Sequence, residues 1–247
     1  MRSSIDINCD LGEGFPNDAE LMKFISSANI ACGFHAGDED TMRRTVQLAI
    51  DNNVAIGAHP GYDDKENFGR VSMKLPFSEI YDLVINQILR LHHYCNTLGT
   101  KMRHLKPHGA LYNQAAKDRE IAAAIVEGIC AIDNKLIYFG LPNSVMLEEA
   151  ERVGLKTASE VFADRTYQQD GSLTPRSESN ALIENIDDCI EHVLRMVREQ
   201  KVIATDGSEV EIKADTICIH GDGEHAVEFA SAIHNALTKE GIAIRPN

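Results

Sequence analysis

Short runs rich in apolar and β-branched residues alternate with longer amphipathic stretches along the whole of this 247-residue chain. Most of the short runs are apolar on both faces, as strands of a parallel sheet covered by helices must be. The predicted strands are residues 5–10, 28–34, 54–59, 102–108, 135–140, 156–162 and 216–220, with 242–245 as an eighth. The alternation therefore predicts an α/β fold built from parallel βα units.

The amphipathic stretches predict the helices between these strands. Ser78 is expected to cap a helix whose apolar residues recur at three-to-four spacing as far as Cys95, and Gly99 is expected to end it. The same spacing predicts helices over residues 42–50, 118–131, 144–153, 182–197 and 225–239. The Asp206-Gly207 pair predicts a β-hairpin within residues 202–214.

No flexible linker or change of composition divides the chain, so residues 1–247 are predicted to form one domain. Seven or eight βα units fit either a closed TIM-like barrel or an open doubly wound sheet. The spacing of apolar residues does not separate these two architectures.

Composition and charge exclude several classes of partner. The formal net charge is -14, and an acidic surface repels both nucleic acid and anionic membranes. No charged-then-apolar leader and no membrane-length apolar run is visible, so a cytoplasmic protein is expected. Six cysteines without a CxxC pair are interpreted as core residues in a reducing compartment.

Ionisable residues collect where the predicted strands end. Four of the ten histidines stand at such positions, namely His35, His59, His108 and His220. Carboxylates occur in the same segments, at Asp10, Glu13, Asp38, Glu160 and Asp222. Because ligands of parallel α/β proteins bind beyond the carboxyl ends of the strands, we expect these side chains to meet in one site.

Two chemistries fit this set of residues. In the first, Asp10, Glu13 and Asp38 act with His35 and His59 as general acids and bases. In the second, two of the histidines and a carboxylate bind a divalent metal that activates water. Asp38 fits a helix cap equally well.

Cationic residues near the same strand ends point to an anionic substrate. Lys106 lies within an apolar strand, and we favour contact with a substrate carboxylate or phosphate over a structural ion pair. Arg70, Arg165 and Arg176 could add charge at the rim, and the polar stretch 166–177 has the length of a lid. The chain contains neither of the glycine-rich nucleotide motifs and no GxSxG elbow.

The strand-end segments resemble those of the LamB/YcsF family, in the same order and over the full length. The matching stretches are 7–13 (INCDLGE), 28–38 (ANIACGFHAGD), 57–61 (GAHPG), 106–113 (KPHGALYN), 160–165 (EVFADR) and 219–222 (IHGD). The resemblance implies a distorted, seven-stranded TIM-like barrel similar to the glycoside hydrolase/deacetylase superfamily.

The family is associated with the A subunit of bacterial 5-oxoprolinase, so the resemblance also implies an activity. That activity is ATP-driven opening of 5-oxo-L-proline to L-glutamate together with two partner subunits, with magnesium accompanying the ATP. Either the nucleotide site of this chain is unfamiliar or a partner subunit supplies it.

On this basis the predicted site has two sets of residues. The expected catalytic residues are Asp10, Glu13, His35, His59 and His108. The expected substrate-binding residues are Asn8, Asp38, Lys106, Tyr112, Glu160, Arg165, His220 and Asp222.

Two rival functions remain open from the sequence. One is a metal-dependent amide hydrolase or carbohydrate deacetylase that needs no ATP, which rests on analogy of fold. The other is a lactam-binding regulatory subunit without catalysis of its own. So many titratable groups argue mildly against a pure binding module.

Overall fold

Seven parallel strands close into a barrel in the computed structural model, which describes residues 3–221, 223 and 225–247. The strands in chain order are β1 (Ser4–Leu11), β2 (Ser27–Ala31), β3 (Ala55–His59), β4 (Met102–Leu105), β5 (Ile137–Gly140), β6 (Thr157–Phe162), β7 (Lys201–Ile203), β8 (Glu209–Glu211), β9 (Thr216–Ile219) and β10 (Ala243–Ile244). The barrel order is β1-β2-β3-β4-β5-β6-β9, and β9 pairs with β1 to complete the ring. Closure decides between the two predicted architectures in favour of the barrel.

Helices cover the outside of the barrel. In the described ranges they are α1 (Asp18–Leu21), α2 (Glu39–Asp51), α3 (Phe77–Thr97), α4 (Gly109–Ala115), α5 (Arg119–Ile132), α6 (Val145–Arg152), α7 (Ile186–Glu199) and α8 (Ala226–Lys239). Their apolar faces pack on the strands and form one continuous core. No helix in the part of the chain that the structure describes is long and apolar enough to cross a bilayer.

Two of the short strands outside the barrel, β7 and β8, form the predicted hairpin. Lys201 of β7 pairs with Glu211 of β8 in antiparallel register, and Gly207 in the turn has a φ of 86°. The last strand, β10, pairs in parallel with the start of β1. Of the six free cysteines, only Cys130 is not fully buried, in accord with the prediction that they are core residues.

Several predicted boundaries are wrong. The strand that contains Ala28 ends at Ala31 rather than at residue 34, because Gly33 turns the chain with a φ of 88°. Helix α3 begins at Phe77 with Pro76 as its N-cap, so Ser78 lies inside the helix. Helix α7 begins at Ile186, and Leu182 is an exposed residue outside it. The short helices α1 and α4 were not predicted.

Inside the barrel, a large side chain on β4 packs against a glycine on the neighbouring strand β3. The ring of His104 on β4 lies over Gly57 on β3, where an added Cβ would be 2.2 Å from the ring. The ring of Phe139 on β5 stacks on the His104 ring, with centroids 4.3 Å apart. Only glycine at position 57 admits the imidazole, so this pairing fixes how β3 and β4 face each other.

At the opposite end from the strand carboxyl termini, Asp6 lies buried near the start of β1. Its carboxylate accepts hydrogen bonds from the hydroxyls of Ser26, Ser27 and Thr216, at 2.5, 2.8 and 2.7 Å. Burial nevertheless raises the pKa of Asp6 to about 6, against the effect of these hydrogen bonds. The charged form of Asp6 therefore costs stability at neutral pH.

We expect Asp6→Asn to become increasingly stabilising, relative to the natural chain, as pH rises. Because the pKa is about 6 in the folded chain and 3.8 unfolded, the natural chain loses stability as pH rises between these values. Since asparagine does not ionise, the difference in unfolding free energy should grow by about 2–3 kcal/mol across that window. Denaturant unfolding at a series of pH values measures it.

Asp206→Asn is the matched control for this prediction. Asp206 is exposed in the hairpin turn, and its pKa is lowered by the hydrogen bonds from Ser208. The Asp206→Asn variant should therefore gain no relative stability as pH rises. A flat difference between Asp6→Asn and the natural chain would show that Asp6 ionises normally in the fold.

Candidate active site

A cavity of about 450 Å³ opens at the carboxyl ends of the barrel strands, where the polar strand ends were expected to meet. Its volume falls within the range of roughly 300–1,000 Å³ usual for small-molecule sites. The predicted site residues that line it are Asp10, Glu13, His59, Lys106, His108, Tyr112, Arg165 and His220. The structure thus brings most of the predicted set to one place.

The first feature of the site is a group of four side chains, the His–Glu group, formed by Glu13, His35, His59 and His108. One nitrogen or oxygen atom from each lies within 4.8 Å of the others. Glu13 Oε1 is 3.3 Å from His35 Nε2 and 3.3 Å from His108 Nδ1. The rings of His35 and His108 stack with centroids 3.8 Å apart.

Backbone carbonyls fix the orientation of two of these rings. His59 Nδ1 donates to the carbonyl of Lys106 at 2.7 Å, and His108 Nε2 donates to the carbonyl of Phe68 at 2.8 Å. Phe68 has a φ of 56°, an unfavourable value for a bulky residue. Such strain is tolerated where the surroundings enforce it, as at functional sites. Here the strained backbone supplies the carbonyl that holds His108.

Two glycines, Gly61 and Gly69, leave room for the side chain of His35. An added Cβ at Gly61 would lie 2.7 Å from His35 Nδ1, and one at Gly69 would lie 2.8 Å from His35 Cβ. Gln87 on α3 holds the Gly61 segment, because its amide donates to the Gly61 carbonyl and accepts from the Gly61 N–H. The loop glycines are therefore required by the packing of the site.

Burial keeps two of the histidines neutral. It is the main cause that lowers the pKa of His108 to about 3, and the neighbouring His59 lowers it further. Burial also lowers the pKa of His35 well below its usual value, with His108 and His59 contributing. Neutral imidazoles are the forms that accept a proton or bind a metal.

Beside the His–Glu group lies a buried ion triad of Lys106, Asp10 and Glu160. Lys106 Nζ is 2.9 Å from Asp10 Oδ1 and 2.9 Å from Glu160 Oε1. Burial opposes the charge on Lys106, but the two carboxylates outweigh it and hold the pKa well above its usual value. Burial likewise opposes ionisation of Asp10, but the neighbouring His59 and Lys106 hold its pKa well below the ordinary range.

A chain of amide hydrogen bonds supports the ion triad from below. Asn29 Nδ2 donates to Asn8 Oδ1 at 2.7 Å and to Asp10 Oδ1 at 2.9 Å. His104 Nε2 lies 2.9 Å from Asn29 Oδ1, and because that oxygen only accepts, Nε2 must carry the proton. Asn8 therefore lies in the interior below the cavity rather than on its wall.

On the other side of the cavity, His220 forms a dyad with Asp164. His220 Nδ1 lies 2.8 Å from both carboxylate oxygens of Asp164, which leaves Nε2 as the nitrogen without this bond. Although burial opposes it, the charge of His220 lowers the pKa of Asp164. The His220 ring also packs on Phe162, with centroids 5.7 Å apart.

The segment after β6 covers part of the mouth and brings positive charge to it. Arg165 is buried, and its guanidinium donates to the carbonyls of Thr174 and Ala181. It therefore holds the covering segment in place. Arg70, Lys117 and Arg176 also line the cavity and make its mouth cationic in a chain of net charge -14.

One predicted residue lies outside this arrangement. Asp38 is exposed, and its side chain accepts from the N–H of Thr41 as the N-cap of α2. Of the two interpretations given for Asp38, the structure shows the helix cap. Asp222 lies outside the described residues.

Sequence reasoning missed three polar residues of the site, Asn29, His104 and Asp164. Strand periodicity offered a signal for His104, because it stands two residues before Lys106 and side chains two apart share one face of a strand. For Asp164 the signal was its place in the strand-end segment 160–165, whereas nothing comparable distinguished Asn29, whose partners are distant in the sequence.

Comparisons with known proteins agree with this architecture. The model of the LamB/YcsF family matches residues 5–247. A protein from Staphylococcus epidermidis, named as the A subunit of 5-oxoprolinase, is 52% identical over 250 residues, which cover 99% of each chain.

Solved structures extend the comparison to the fold. The lactam utilization protein from Thermus thermophilus is 41% identical with a TM-score of 0.94, covering 98% of this chain and 99% of that one. A family 4 carbohydrate esterase from Streptomyces lividans in complex with acetate is 12% identical with a TM-score of 0.50, covering 98% and 91%. The esterase shares the fold alone. The predicted architecture, a distorted TIM-like barrel, is confirmed.

We expect Lys106→Met to destabilise the fold by about 3–5 kcal/mol, because it leaves the buried carboxylates of Asp10 and Glu160 without their cation. A second change, Glu160→Gln, in the same chain should restore part of this loss by removing one of the two charges. Denaturant unfolding of the single and double variants measures both effects.

The matched control is Lys213→Met, which breaks an ion pair of 2.8 Å with Asp215 on the surface. The Lys213 side chain is 65% exposed, so its loss should cost less than about 1 kcal/mol. Equal losses for Lys106→Met and Lys213→Met would contradict a charge-balancing role for Lys106.

Proposed function

The chain belongs to the LamB/YcsF family, and from this membership and the geometry of the cavity we propose that it is the hydrolytic subunit of an ATP-dependent 5-oxoprolinase. The observation that carries the proposal is the His–Glu group beside a buried ion triad on the floor of a small-molecule cavity. The substrate is 5-oxo-L-proline, and the product is L-glutamate.

Opening the ring requires a nucleophile on one side and a proton donor on the other. Water adds to the lactam carbonyl carbon, the C–N bond breaks, and the ring nitrogen takes up a proton to become the amine. Asp10 at the cavity accepts the proton from this water, with His59 Nε2 3.3 Å from its Oδ2. Glu13 Oε1 lies 3.8 Å from the same nitrogen and helps to hold it in place.

His220 is the proton donor to the leaving nitrogen in this proposal. Asp164 holds its Nδ1, so the remaining nitrogen, Nε2, is available to the substrate. This is the arrangement in which a carboxylate orients a catalytic imidazole and stabilises its charged form. Asp164 is accordingly a positioning residue.

The cations at the mouth bind the substrate carboxylate. Lys106 is already paired with Asp10 and Glu160, so we assign this contact to Arg70 and Arg176 on the cavity wall. Tyr112 lines the same wall. The role of Lys106 is then to keep the carboxylate of Asp10 ionised at the floor.

ATP activates the lactam, which is otherwise a stable amide. Transfer of a phosphoryl group to the lactam oxygen makes the carbon a better electrophile. Addition of one water with breakage of the C–N bond leaves an acyl phosphate, and a second water releases phosphate. We assign the ATP and its magnesium to the two partner subunits, because the sequence holds neither glycine-rich nucleotide motif. The assembly would act in the cytoplasm.

The assignment is tested by reconstitution. We expect 5-oxoproline-dependent ATP hydrolysis and glutamate formation only when this chain is mixed with both partner subunits. Asp10→Asn and His59→Ala should abolish glutamate formation in that mixture, while His93→Ala, a change at an exposed helix residue, should not. Glutamate formation by the chain alone in buffer without ATP would refute the proposal and favour an ATP-independent amide hydrolase.

A regulatory role predicts a different outcome. A subunit that only binds the lactam would lose binding in His59→Ala while the assembled enzyme kept its turnover. Measuring binding of 5-oxoproline and turnover on the same variant separates the two functions.

For the assignment of His220, we expect His220→Gln to lower kcat in the reconstituted enzyme by about 100-fold or more, because glutamine cannot donate a proton to the nitrogen. Asp164→Asn should lower kcat less than His220→Gln does, because Asp164 acts only by orienting His220. An unchanged kcat in His220→Gln would exclude the role of proton donor.

A further inference from the structure

The His–Glu group contains a contact that ordinary histidine tautomers do not explain. His59 Nε2 and His108 Nδ1 face each other at 2.9 Å. The other nitrogen of each ring bonds to a backbone carbonyl, of Lys106 and of Phe68 respectively, and a carbonyl can only accept. Both carbonyl-facing nitrogens therefore carry the ring protons, and two bare lone pairs point at one another.

Such a contact needs a cation between the two lone pairs, which is either one extra proton or a metal ion. One extra proton would join these two atoms and would also face Asp10 Oδ2, which lies 3.3 Å from His59 Nε2. It would leave His35 outside the contact. However, Glu13 Oε1 points to the same place, at 3.3 Å from His108 Nδ1 and 3.8 Å from His59 Nε2. His35 Nε2 lies 3.3 Å from the same oxygen. One divalent cation satisfies all four atoms at once.

We propose that Glu13, His35, His59 and His108 form a binding site for a divalent transition-metal ion, with Zn²⁺ as the representative species. Zinc bonds to nitrogen and carboxylate oxygen are about 2.0–2.2 Å long, so tetrahedral ligand atoms lie roughly 3.4 Å apart. Four of the six separations between the ligand atoms are 2.9, 3.3, 3.3 and 3.8 Å, on either side of that value. The other two, from His35 to His59 and to His108, lie within 4.8 Å. Three imidazoles with one carboxylate suit zinc and its neighbours rather than magnesium or calcium.

The surroundings of the site resemble those of built metal centres. Metal-bound histidines usually donate their second nitrogen to a carbonyl or carboxylate, as His59 and His108 do here. His35 differs, since its Nδ1 is buried without a hydrogen-bond partner in the described structure. His35 Nε2 faces the carboxylate oxygen Glu13 Oε1 at 3.3 Å, so it carries the ring proton without a cation and must release it to bind one.

A bound divalent ion would supply Lewis-acid activation of water at the cavity wall. The site rests on the positions of the four side chains and not on the proposed substrate. The metal site is therefore tested by measuring metal binding directly. Metal binding can be absent while the 5-oxoprolinase activity is confirmed, and it can be present while that activity is not.

The experiment uses the full chain stripped of metal by a chelator and titrated with Zn²⁺, with calorimetry to give stoichiometry and affinity. We expect one equivalent to bind and to raise the thermal unfolding midpoint. Substitution of Co²⁺ should give the strong visible absorption typical of tetrahedral coordination.

Variants locate the ion within the chain. His59→Ala, His108→Ala and the conservative Glu13→Gln should each weaken binding by about 100-fold or more, since even outer-sphere changes cost 10- to 100-fold. His93→Ala, at an exposed histidine on α3, should bind Zn²⁺ like the natural chain. Circular dichroism of each stripped variant verifies that it is folded.

Two results would overturn the proposal. The first is binding of well under one equivalent by the natural chain, which would mean that the cation between His59 and His108 is a proton. The second is undiminished one-to-one binding in folded His59→Ala and His108→Ala, which would mean an adventitious ion only.

Discussion

The ammonium group of Lys106 balances the charges in the barrel interior, and much of the site depends on that balance. Glu160 on β6 is removed from water, and Asp10, near the end of β1, keeps only 11% of its side chain exposed, toward the cavity. Buried charges of one sign are tolerated only beside a counter-ion. The same residue also fixes an imidazole, because its backbone carbonyl accepts from His59. One position thus sets the ionisation of Asp10 and the tautomer of His59.

The polar groups are divided between two walls of the cavity. The His–Glu group belongs to the ends of β1 to β4 and the loops after them, whereas His220 and Asp164 follow β9 and β6. Closure of the ring by β1 and β9 brings these walls together around one volume. A reaction that needs a nucleophile on one face of a small ring and a proton on the other fits this division. An open sheet would have spread the same residues along an edge.

Much of the fold was predictable from the sequence because buried parallel strands and amphipathic helices leave strong periodic signals. Helix ends were less predictable: Pro76 takes the cap expected of Ser78, and the exposed Leu182 continues an apolar spacing that α7 does not use. The strand-end histidines were recognisable as a set, because parallel strands all end on one rim. The lone-pair contact between His59 and His108 was not, since it depends on which carbonyls the rings meet. Asp38 shows the limit of local reasoning, because a helix cap and a site carboxylate look alike in sequence.

The buried cysteines give the barrel an internal reporter. Cys9 lies on β1 and Cys218 on β9, where the register pairs Cys9 with Ile219 and Asn8 with Cys218 along the seam that completes the ring. Both thiols are sealed from solvent in the native state. An alkylating reagent can reach them only when that part of the structure opens, so labelling kinetics follow local opening rather than intrinsic thiol reactivity. The rate at which Cys9 and Cys218 are alkylated therefore reports how often the pairing of β1 with β9 opens, without any probe added to the chain.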